Sequence, residues 1–162
     1  MKTVGIVILI ISALLIGVSF YERYKDRVNS LEMFIGLLSK YLLKLKMERK
    51  SFTDIVLNEK DPGEYLSECQ RNLRCMPLKD AMITDNQYFD SLKLLNEDKV
   101  ILLNFFTNTG NGGYADELSL CLSTVDALKI QLENSKNSLK KSGPFSIKIA
   151  IAVALWIGII LI

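Results

Sequence analysis

Two stretches of the chain are apolar almost throughout, and between them apolar positions recur at the spacing of helix faces. Residues 4–20 read VGIVILIISALLIGVSF without a charge. At about 1.5 Å per residue they extend roughly 26 Å, just enough for a bilayer's hydrocarbon core. Residues 145–162 (FSIKIAIAVALWIGIILI) carry one charge, Lys148, whose long stem can reach the headgroups. The pattern predicts transmembrane helices over 4–20 and 145–162, the second short enough to need local thinning or close packing against the first. The competing reading of the first stretch is a cleaved secretory signal, with Gly17-Val18-Ser19 as a small-x-small site. Its apolar length exceeds the usual roughly 7–15 residues, and the basic cluster that follows opposes export.

Residues 21–143 read as a helical domain. Val28, Leu31, Ile35, Leu38, Leu42 and Leu45 alternate at three and four, and Phe34, Leu37 and Tyr41 widen the stripe, predicting a helix over 22–49 continuous with the first span. The stripe reads as intramolecular core, with an oligomer seam as the alternative. Ser51-x-x-Asp54 is a capping box that starts a new helix. Asp61-Pro62-Gly63 is a turn, a short helix follows over 64–75, and a weaker helical stretch occupies 78–95. Asn96 is placed to cap a helix over 97–107, apolar on nearly every side and therefore the expected centre of the body. A last helix, 114–141, carries Leu118, Cys121, Leu122, Val125, Leu128, Leu132 and Leu139 on one side, and Gly143-Pro144 should break it. No run alternates with the period of a strand. The fold class expected is all-α, an antiparallel cytoplasmic bundle between an N-terminal and a C-terminal transmembrane helix.

Charge gives the orientation. Residues 21–50 hold eight basic and four acidic side chains, 51–128 six and thirteen, and 129–148 five and one. The juxtamembrane basic residues Arg23, Lys25 and Arg27 after the first span, and Lys140, Lys141 and Lys148 beside the second, place the body in the cytoplasm and both termini outside. The acidic middle could steer a basic partner surface. A net charge of +2 over 162 residues gives no footprint for nucleic acid.

Candidate chemistry is sparse. The absence of histidine removes imidazole acid–base catalysis, Ser-His and Cys-His pairs and His-ligated zinc. Cys69, Cys75 and Cys121 match no zinc or redox spacing and read as buried, reduced thiols. Asp116 and Glu117, adjacent on a helix, point about 100° apart and do not converge on a substrate; they read as charges on the positive end of the helix dipole. The run Thr109, Gly110, Asn111, Gly112, Gly113 lacks the Gly-Lys-Ser/Thr ending of a phosphate loop and follows a helix, so it reads as a helix-to-helix turn with positive-φ positions. No enzyme, cofactor, metal or small-molecule substrate is expected.

An N-terminal span followed by Glu22-Arg23-Tyr24-Lys25-Asp26-Arg27, a leucine-rich helix, a Thr-Gly turn before a long helix, and a C-terminal span ending WIGIILI together resemble the stage III sporulation protein AB family. The resemblance runs the length of the chain and is carried at its start by Gly5, Gly17, Arg23, Tyr24, Arg27 and Leu31. The family's second motif, Leu-Gly-x-x-Asp-x-x-x-Gln, falls on Thr109, Gly110, Gly113 and Glu117, of which Gly110 alone matches; Val28 stands at a position where the family usually has proline. The resemblance implies a protein of the mother-cell membrane facing the forespore. There it would be a scaffold in the channel complex between the two cells, similar to the cytoplasmic domain of the type II secretion and type IV pilus platform protein. Implied partners are membrane lipid and the other channel subunits including a cytoplasmic secretion-type ATPase, with further copies of itself as an additional option. The alternative is a membrane-anchored regulatory adaptor with a different cytoplasmic partner.

Overall fold

The computed structural model describes the backbone of residues 2–60, 62–84 and 86–161, with side-chain surroundings for only part of 2–20 and 142–161. Among the described residues there is no strand. The elements are α1 (Lys2–Glu48), α2 (Phe52–Leu57), α3 (Gly63–Asn72), a π-helical turn (Asp80–Thr84), a 3-10 turn (Phe89–Leu92), α4 (Asn96–Asn108) and α5 (Tyr114–Leu161). They divide into two compact units: Asn29–Leu132, and the two chain ends taken together, Met1–Val28 and Glu133–Ile162.

In Asn29–Leu132 the predicted stripe on α1 is buried, but its centre is Leu31, Phe34, Leu38 and Tyr41, whereas Ile35 and Leu42 lie at its margin. Aromatic rings fill the middle. Tyr41 meets Phe52 edge to face with centroids 5.3 Å apart, Phe52 meets Phe105 likewise at 5.2 Å, and Phe34 meets Tyr65 at 5.6 Å. Such pairs add to area burial and specify one packing. From α5, Cys121, Val125 and Leu128 complete the core, and the Cys121 thiol donates to the Leu38 carbonyl at 3.5 Å.

Local signals act as read at Ser51, where the hydroxyl accepts from the Asp54 amide at 3.1 Å and the Asp54 carboxylate accepts from the Ser51 amide at 3.3 Å. The cap of α4 lies one residue earlier than expected. Leu95 is extended, its amide donates to Asp98 Oδ2 at 2.9 Å, and Asn96 is already helical. Nor is α4 buried all round, since Val100 and Leu103 are exposed while Leu102, Phe105 and Phe106 are buried.

Two expectations are altered for physical reasons. The stretch 78–95 is helical only in pieces, α-helical at 78–79, π-helical over Asp80–Thr84 and 3-10 over Phe89–Leu92, and between the pieces Asn86 is buried and turns its side chain on the backbone. Its amide group donates to the carbonyls of Tyr65 and Ala81 at 3.2 and 3.4 Å, and its oxygen accepts from the Tyr88 amide. Such side-chain bonds compete with the helical ladder. Gly143-Pro144 does not end α5, which runs through to Leu161; proline removes one hydrogen bond from the helix but supplies a helical φ. Of the turn at 61–63, Asp61 lies outside the described residues, and Gly63 opens α3.

In the unit formed by the chain ends, Arg23, Lys25, Lys140, Lys141 and Lys148 are exposed and Arg27 is buried. Among the described residues no helix is long and apolar enough to cross a membrane. Most side chains of 4–20 and 145–162, where spans are expected, lie outside the description.

Candidate functional site

The turn expected from the glycine run does join α4 to α5, and one buried carboxylate fastens it. Thr109 ends α4 through its amide, which donates to the Phe105 carbonyl at 2.8 Å. The chain then reverses at Gly110, whose φ of +83° is a conformation most side chains avoid. Asn111 closes the bend by donating its side-chain amide to the Thr107 carbonyl at 2.9 Å. Gly113 sits at an ordinary negative-φ or extended backbone, and its amide donates to Asp116 Oδ2 at 3.2 Å across the first turn of α5. Gly112 is small for a different reason, because a Cβ there would stand 2.9 Å from the Asp116 Cβ.

Glu117 is not the solvated dipole charge that its position suggests. It is 7% exposed. Its Oε1 accepts from the Tyr41 hydroxyl at 2.6 Å and from the Thr109 hydroxyl, and its Oε2 accepts from the Gly110 amide at 2.9 Å. Each partner comes from a different part of the unit: Tyr41 from the middle of α1, Thr109 from the end of α4, Gly110 from the bend. A charged acceptor makes such bonds roughly twice as strong as neutral ones. Burial, and then the neighbouring carboxylate, hold the Tyr41 phenol well above its ordinary range, so it remains a donor. The arrangement is a lock between α1, α4 and α5, with the carboxylate's acceptor positions directed at the protein's own donors.

Beside this lock opens a pocket of about 330 Å³. Tyr41, Leu45 and Phe52, buried, lie at its base; Arg49, Lys50 and Tyr114, exposed, lie at its rim. Arg49 follows α1 with φ +52°, left-handed for a residue that has a side chain, and its guanidinium stands 5.7 Å from the Tyr114 ring centroid. Strained positions of this kind persist where surrounding structure over-determines them.

The turn residues Thr109, Gly110, Asn111, Gly112, Gly113 and Glu117 are therefore brought together, whereas the juxtamembrane cations belong to the other unit. Sequence pattern does not mark Tyr41 or Arg49 as site residues. Tyr41 reads as one more stripe position, and nothing local marks its partner 76 residues away. The lone polar atom on an otherwise apolar stripe was the available signal. Among the thiols, Cys69 and Cys121 are buried and pushed up to about 11, chiefly by desolvation, but Cys75 is exposed, contrary to the expectation that all three lie inside. Among the described residues no cluster of histidine, cysteine or carboxylate side chains could hold a metal ion.

Compared with known proteins, residues 2–162 match the family model described as stage III sporulation protein AB. No curated protein and no solved structure matches the chain.

Proposed function

We propose, because the chain belongs to the stage III sporulation protein AB family, that its role in stage III of sporulation is that of a membrane platform. In this reading the helical unit stands in the mother-cell cytoplasm, docks a secretion-type ATPase and supports the other subunits of a channel complex facing the forespore. The family match over essentially the entire chain carries the reading, since it includes both apolar ends along with the helical unit. Supporting it are the cations on either side of that unit, which favour a two-pass anchor with both termini outside. A lock that holds three helices together also suits a scaffold.

Three measurements test it. Deleting the gene should leave vegetative growth normal and abolish heat-resistant spores; wild-type spore counts refute the role. Affinity purification from sporulating cells should recover the ATPase, and its consistent absence refutes the docking. With the native cysteines replaced, a cysteine at position 60 should label only after the membrane is opened and one at position 2 in intact cells; the reverse pattern overturns the topology.

A further inference from the structure

The last turns of α1 carry a surface that the lock does not use. Lys40, Lys44, Lys46, Arg49 and Lys50 place five cations within eleven residues, against Glu48 in the same stretch. Lys44 and Lys50 both reach Glu48 at 2.7 Å, which holds that carboxyl down at about 2 and keeps it ionised, and Lys40 pairs with Glu59 at 2.7 Å. Among the described residues Lys46 and Arg49 enter no ion pair, so the surface keeps an excess of positive charge. Between these cations two large apolar side chains one helical turn apart face solvent, Leu43 at 58% and Met47 at 72% exposure. Leu43 borders a hollow of about 350 Å³ between α1 and α2, with Lys40, Lys44 and Lys50 also along its lining.

We infer that this surface docks an acidic amphipathic segment of a protein partner, one carrying Asp or Glu beside apolar side chains a helical turn apart. Apolar anchors on a positively charged rim are the complement of such a segment, with the charges setting encounter and register and the anchors setting residence. A membrane surface is the other partner for basic and apolar side chains on one helix. Here the side-chain-sized hollow beside Leu43 fits a protein ridge better than a lipid plane. The inference rests on the platform reading for its setting, since it specifies the surface by which a cytoplasmic partner is held.

The test places a photo-crosslinking amino acid at Leu43 and, separately, at Met47 in the full chain within sporulating cells, and maps the crosslinked peptide. The expected product is a segment of another protein with an acidic excess and apolar residues three or four apart. The double variant Lys46→Glu, Arg49→Glu should lower the crosslink yield at least tenfold, and lysines at the mapped acidic positions should restore it. Leu43→Ser with Met47→Ser, at positions too exposed to support the fold, should lower spore counts while leaving the thermal transition in place. Crosslinks to lipid, to a second copy or to a segment without acidic excess, no crosslink at either position, or a yield indifferent to the charge reversal would each overturn the inference. A deletion strain that sporulates normally refutes the platform reading instead, and the crosslink map then judges the surface by itself.

Discussion

Replacing Glu117 by alanine should be among the most damaging single changes that leave the hydrophobic core intact. The substitution removes a carboxylate that accepts from the Tyr41 hydroxyl, the Thr109 hydroxyl and the Gly110 amide. Hydrogen bonds to a charged group contribute about 1.5–3 kcal/mol each, and a buried donor left without an acceptor costs about 1–3 kcal/mol. Gly110 and Tyr41 both line the open pocket, but Gly110 is exposed and Tyr41 is 2% exposed, so water replaces the lost acceptor more readily at the amide than at the phenol hydroxyl. The expected loss is therefore about 3–5 kcal/mol, a large share of the roughly 5–15 kcal/mol that stabilises a typical domain. Glu117→Gln keeps the shape and one acceptor but turns an N–H toward a donor, and should lose about 1–2 kcal/mol. Urea denaturation of the full chain in detergent, followed by far-ultraviolet circular dichroism, measures these differences. A double-mutant cycle isolates the pair: Tyr41→Phe should destabilise the parent by about 1–2 kcal/mol yet be neutral or favourable beside Glu117→Ala. A loss below about 0.5 kcal/mol for Glu117→Ala, or equal costs of Tyr41→Phe in both backgrounds, would refute the lock.

Gly110→Val should destabilise by about 1–2 kcal/mol through backbone strain alone, since nothing lies within 4 Å of its absent Cβ, whereas Gly113→Val, at an ordinary φ with only a 3.6 Å contact to Asp116, should cost less than half as much in the same denaturation assay. Ser51→Ala removes the cap of α2 and should lose about 1 kcal/mol. A thiol reagent should modify Cys75 at once in the folded protein and Cys69 and Cys121 only on unfolding. Stability should be intact below pH 9 and fall as pH rises from 9 toward 11, because the buried thiols keep protons that the unfolded chain, with its ordinary value of 9.0, has released. Thermal transitions recorded across that range check the sign, and unchanged midpoints at pH 8 and 10.5 would contradict it.

What the sequence made legible follows the range of the interactions concerned. The long stripe on α1 repeats over many turns, and the Ser51 box closes within four residues, so both declare themselves in consecutive letters. The interruption within 78–95 does not, since it is set by a side chain, Asn86, whose acceptor at Tyr65 lies 21 residues away. Asn96 is a good cap residue in isolation, but the Asp98 carboxylate, reaching back to the Leu95 amide, starts α4 one residue earlier. At Asn86 a contact from elsewhere in the chain outweighs the local preference, whereas at Asn96 one local preference yields to another, three residues from Leu95.

The candidate site divides along the same line. That residues 109–113 form a turn could be read from glycines alone, but which glycine bears the strain could not. Gly110 takes the left-handed conformation, while Gly112 is small to clear the Asp116 side chain and Gly113 offers its amide to that residue. The dipole argument is likewise correct for Asp116, exposed in the first turn of α5, and fails for its neighbour. One position further along the helix rotates Glu117 by about 100° into the core, where the hydroxyl of Tyr41 awaits it. At the family's second motif, where this chain has glutamate, the side chain belongs to the fold's interior and fastens the bend to α1.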